Sequence, residues 1–112
     1  MRFLGIMKKL HQVGFDDFYQ AGSTSKFHPM NIVAESRVLN LQFWVCVDGG
    51  YSCPETYHIS ERALDDYKAP TKRVNYRNQT EVIAGLEQIR LTIAEAVRLK
   101  DEAANLNTDK EN

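Results

Sequence analysis

Two cysteines, Cys46 and Cys53, and two of the three histidines, His28 and His58, are the side chains of this sequence best suited to hold a soft metal or to pair a nucleophile with its base. Together they make the four donors that tetrahedral zinc takes. Their spacing does not carry the idea further. Neither Cys-x-x-Cys nor a His-x3-5-His arrangement occurs, and no nucleophile-elbow or oxyanion-hole context surrounds Cys53. A hairpin with a Gly49-Gly50 turn would set Cys46 across from Cys53 within disulfide reach, whereas an Asp48-Gly49 turn would set Trp44 there instead. The adjacent acids Asp16-Asp17 and Asp65-Asp66 point apart on any regular backbone, so they do not converge on one cation. Asp65-Asp66 reads as a solvated helix face. We read no catalytic residue, no metal site and no cofactor here, and the thiols as reduced.

A second chemistry lies in the basic stretch 68–77, where Lys68, Lys72, Arg73 and Arg77 stand beside Tyr67 and Tyr76. Cations interleaved with aromatic rings contact phosphates and stack on bases, so Lys72, Arg73, Tyr76 and Arg77 define a nucleic-acid-binding alternative. The same stretch contains Ala69-Pro70, an exposed X–Pro bond of the kind a prolyl isomerase engages.

The elements that must position these residues follow from periodicity. Over 37–48 the side chains of Leu39, Leu41, Phe43, Val45 and Val47 alternate with Asn40, Gln42, Trp44 and Cys46, the pattern of a strand with one core face and one mixed face. Pro54 makes the returning strand an edge strand or bulged near its start. Ser60 has the form of an N-cap for a short helix to residue 67, and Val74 opens a third strand. Asn78 with Glu81 fits a capping box, with Thr80 the alternative cap, and the helix that follows is expected to run to about Ala104. Val82, Leu86, Ile89, Ile93, Ala96 and Val97 form its packing stripe, and Leu91 and Leu99 fall outside it. Residues 1–14 fit a helix or a short strand, and Met7-Lys8-Lys9 looks like a translation start, so the first six residues carry little weight. The front third is read as loop-rich.

The expected fold is α+β: one domain over 1–104, with an antiparallel sheet of two to four strands around the hairpin, a long helix across it, and a polar tail at 105–112. With 112 residues, 43% hydrophobic and 26% charged, the chain is of ordinary single-domain size and composition. Fourteen basic residues against fifteen acidic ones leave no basic excess, which disfavours a nonspecific nucleic-acid or membrane footprint. Lys8-Lys9 interrupts the first apolar run short of a secretory segment, and no run reaches the length of a membrane span. A cytoplasmic, non-membrane protein is expected.

Phe43-Trp-Val-Cys-Val-Asp-Gly, Ile59-Ser-Glu-Arg-Ala-Leu64 and Ile89-Arg-Leu-Thr-Ile-Ala-Glu-Ala together resemble a small bacterial α+β family of unknown function. The general cast is one compact domain, no enzyme motif, apolar and aromatic surface candidates and an Ala69-Pro70 loop. That cast is similar to small phage-encoded accessory proteins, including lambdoid proteins that act on the host recombination nuclease. This likeness implies a non-enzymatic inhibitor or modulator of a host protein or protein complex, touching nucleic acid only indirectly. The residues expected to bind the partner are Trp44, Lys68, Ala69, Pro70, Lys72, Arg73, Leu91 and Leu99. The same apolar surface would also serve a homodimer.

Overall fold

The computed structural model describes residues 4–21, 30–48 and 56–111. Its elements are α1 (Leu4–Val13), β1 (Asp17–Ala21), β2 (Met30–Ser36), β3 (Leu41–Asp48), β4 (Thr56–Ala63), β5 (Lys72–Tyr76) and α2 (Gln79–Glu111). The five strands form one antiparallel sheet in the order β1-β2-β3-β4-β5, so each strand pairs with its neighbours in sequence. The fold is therefore α+β, with five strands where two to four were expected.

The expected alternation is present from Leu41 onward, whereas residues 37–40, expected to open this strand, form the β2–β3 turn closed by the Asn40 N–H donating to the Arg37 carbonyl. Phe43, Val45 and Val47 point into the core with Ile32 and Ala34 of β2 and with Tyr57 and Ile59 of β4. Both helices pack on this same side. α1 contributes Ile6, Leu10 and Val13 at helical spacing, and α2 contributes Val82, Leu86 and Ile93. Lys9 on α1 reaches Glu87 on α2 at 2.9 Å, which ties the two helices at their surface. Gly14 ends α1 with φ +92°, the left-handed backbone that a helix C-terminus favours and that glycine adopts without strain.

α2 starts as its sequence signature requires. The Asn78 side chain accepts from the Glu81 backbone N–H at 3.0 Å, and the Glu81 carboxylate accepts from the Arg77 N–H at 2.9 Å. This is a capping box with its reciprocal bond moved one residue outward. The stripe is buried at Val82, Leu86 and Ile93, while Val97 is 43% exposed. Beyond Ile93 the helix turns to solvent and is braced along its own surface by Arg98, which bridges Glu95 and Glu102.

Several expectations are corrected. Residues 60–63 are strand, not the start of a helix: Glu61 pairs with Phe43 on one side and Lys72 on the other, so ladder bonds on both edges outweigh the capping signal of Ser60. Residues 64–70 form turns, with Asp66 accepting from the Lys68 N–H at 3.1 Å, so Asp65-Asp66 does not lie on a helix. β4 has neighbours on both edges, and Pro54 precedes it. The register pairs Asp48 with Thr56 and Cys46 with His58, which neither two-residue turn allows. Cys53, His28 and Pro54 lie outside the described residues. The front third is built of α1, β1 and β2, with Ile6 fully buried, and α2 continues through the supposed tail to Glu111.

Candidate functional site

Strand alternation divides the candidate residues between two faces of the sheet. The face turned away from the helices carries Tyr19, Val33, Trp44, Cys46, His58, Arg62, Arg73 and Asn75, as the register requires. Trp44 is half-buried there within a polar network. Its indole Nε1–H donates to Gln42 Oε1 at 3.1 Å, Arg62 donates to the same oxygen at 3.1 Å, and the Gln42 amide donates to Glu35 at 3.5 Å. Arg62 also donates to the Tyr67 carbonyl at 3.0 Å, which fastens the turn after β4 to the sheet.

Cys46, His58 and Asn75 form one row across β3, β4 and β5 on that face. A thiol beside an imidazole and an amide is a nucleophile–base–orienter set by composition. Here the thiol is buried and Asn75 Oδ1 accepts from Arg73 Nε at 3.0 Å, so the amide is engaged by the guanidinium. Among the described residues no group of three or more His, Cys, Asp or Glu side chains is arranged to hold a metal ion.

The acidic pairs act in turns. Asp16 accepts from the Arg37 backbone N–H at 2.6 Å and lies 3.5 Å from its guanidinium, joining the start of β1 to the β2–β3 turn. Asp65 accepts from the Asn40 side chain at 3.1 Å, and Asn40 holds φ +55°, a left-handed conformation that asparagine tolerates better than most residues.

The basic stretch is split in the same way. Lys68, Ala69 and Pro70 lie in the β4–β5 turns, with the Lys68 ammonium 5.7 Å from the Tyr67 ring centroid. Pro70 is exposed and its peptide bond is trans. Arg73 faces away from the helices, whereas Lys72, Val74 and Tyr76 face α2. The structure thus places Arg73 on the opposite side of the sheet from Lys72 and Tyr76, and Arg77 beyond the strand end.

Where β5 meets α2 there is a cleft of about 550 Å³. Its floor is Phe43, Ile59 and Val74, its far wall is Ala84, Gly85 and Ile89 of α2, and its ends carry Glu61 with Lys72 and Tyr76 with Glu81. Lys72 is 3.9 Å from Glu61 with its side chain 76% exposed, a loose surface pair. Burial, and secondarily the nearby Glu61 carboxylate, push the Tyr76 hydroxyl above its ordinary pKa, so it stays a neutral donor. Sequence reasoning missed this cleft, because it arises from the return of α2 over a strand pairing that no local pattern fixes.

Leu91 and Leu99 do come together. They sit 48% and 51% exposed, two turns apart on α2, and join Leu39 of the β2–β3 turn in a shallow apolar groove with Thr92, Glu95 and Ala96. Leu39, placed on the core face by alternation, was not anticipated as part of this surface.

The fold and surface define a two-layer α+β protein with an edge cleft and a groove along its long helix. Comparison with protein-family models, with curated proteins and with solved structures gives no match. No helix among the described residues is long and apolar enough to cross a membrane.

Proposed function

We propose that this protein is a non-enzymatic protein-binding module. The observation that carries the reading is the groove in which Leu39, Leu91 and Leu99 converge. Isolated exposed leucines are ordinary on a soluble surface, and the clustering of Leu91 and Leu99 beside Leu39 within a polar rim is what singles this face out as a contact surface. The rim fits that use, since Glu95 is held by Arg98 and keeps the groove edge polar. Trp44, half-buried in its network, offers a second anchor of the type enriched at interface hot spots. In its more specific form, the module inhibits or modulates a host enzyme complex, as the likeness to phage accessory proteins implies.

Capture of the tagged protein from a bacterial lysate, washed at moderate and then high salt, tests the reading against the variant Leu91→Lys/Leu99→Lys. A stoichiometric protein that survives high salt and is lost with the variant is the expected result. Equal recovery by both forms, or no stoichiometric partner, overturns it. Inhibition of the captured enzyme in proportion to added protein separates an inhibitor from an adaptor.

The split of the basic stretch weighs against the nucleic-acid alternative. A phosphate track needs its cations on one surface, and Arg73 lies on the opposite face from Lys72 and Tyr76.

A further inference from the structure

The two edges of the sheet are not equivalent. At β1 the helix-side face is covered at Phe18, which meets His11 of α1 ring edge to ring at 5.0 Å, and just before the strand Phe15 packs on Phe43. At β5 the same face is left open as the 550 Å³ cleft, with α2 as its far wall. Lys72, Arg73, Val74 and Asn75 are all exposed, and Val74 keeps 44% of its surface in the open although it points toward the core side. β5 therefore combines a strand edge that pairs with no other strand among the described residues, and so offers backbone donors and acceptors, with an apolar cleft beside it on one face.

We infer that β5 and the cleft under α2 form a strand-addition site for an extended segment of a partner protein, with alternate residues apolar and with acidic residues facing Lys72 and Arg73. The inference rests on the protein-binding reading and names a second contact for it. An added strand continues the ladder through main-chain bonds, and every second side chain points to the helix side, where Val74, Ile59 and Phe43 provide an apolar floor. Charge selects the sequence. Lys72 is held only loosely by Glu61, and Arg73 spends one N–H on Asn75 within its own strand, so both cations are available to a facing carboxylate. On the helix side Val74 keeps the middle of the site apolar, while Glu61 beside Lys72 and Glu81 beside Tyr76 put carboxylates at its ends, so an acid of the added segment is expected opposite Lys72 or Arg73 and not near Glu81.

The test is selection of a displayed random-peptide library on the intact protein and on Lys72→Glu/Arg73→Glu, whose altered side chains are exposed and leave the core untouched. Enriched peptides should alternate apolar residues and carry acids, should change from acidic to basic on the variant, and should slow amide exchange within β5. Transfer of an acidic peptide from wild type to variant should weaken binding about five-fold or more. Peptides that map to the Leu91–Leu99 groove, selection blind to the charge reversal, or no enrichment would overturn strand addition while leaving lysate capture to decide the wider reading. Protection of β5 without peptide in a concentration-dependent dimer would overturn it in favour of a second copy of this chain. A lysate partner retained by the charge-reversed variant would place that partner on the groove alone.

Discussion

The Tyr76 side chain occupies the space that a side chain at Gly85 would need. A Cβ built there would lie 2.7 Å from Cζ and 3.0 Å from Cε1 of the ring, closer than packed atoms approach. The absence of a side chain at position 85 is what lets β5 and α2 close on one end of the cleft.

Gly85→Ala sets two effects against each other. In a helix interior alanine is favoured over glycine by about 1 kcal/mol. Overpacking against a ring costs roughly 1–3 kcal/mol. The substitution should destabilise by about 1 kcal/mol in denaturant unfolding. With Tyr76→Leu already in place the same change should stabilise by up to about 1 kcal/mol, and equal effects in both backgrounds would show that the contact is not decisive.

Asn40→Ala should cost about 1–2 kcal/mol, because a left-handed backbone is strained for alanine and the bond to Asp65 is lost. Asn40→Gly removes only the side-chain bond, so its thermal midpoint should lie between those of the wild type and Asn40→Ala.

Glu87 is held at a pKa of about 2, first by its hydrogen bonds from Arg90 and then by that from Lys9. Its folded pKa lies below the ordinary value near 4.3, so the folded state binds fewer protons than the unfolded one through this window. Its contribution is present above about pH 4.5 and is lost as pH falls toward 2. Glu87→Gln should flatten the stability profile in that range and leave the slope elsewhere unchanged. An identical profile would mean that neither the Arg90 pair nor the Lys9 tie to α1 has energetic weight in solution.

Ile6→Ala should destabilise by about 2–5 kcal/mol, the range for emptying a buried aliphatic site. The side chain is fully buried among core residues drawn from both helices and the sheet. A loss below about 0.5 kcal/mol, typical of surface changes, would return residues 4–6 to the minor role their sequence position implied.

Much of the architecture was legible where a signal is local. Asn78 and Glu81 announced α2, and the alternation through Phe43, Val45 and Val47 announced β3, because capping and period-2 burial act over a few residues. The places of Leu91 and Leu99 off the packing stripe also followed from periodicity. Ser60 misled because its capping signature competes with a pairing partner, Trp44, distant in sequence. The register failed for the same reason: a Gly-Gly pair permits a tight turn without requiring one. The cleft left one trace, the glycine at position 85 in an otherwise helical run, which marks a close approach without naming what approaches.

Because sheet order repeats chain order, each strand docks on the one made just before it, and closure of the sheet needs only short-range encounters. α1 is the exception. Its contact with α2 spans 78 residues between Lys9 and Glu87, so that part of its packing forms only after the five strands and α2 have been made. Ile6, Leu10 and Val13 therefore gain their α2 neighbours last, although His11 of the same helix already meets Phe18 of the first strand.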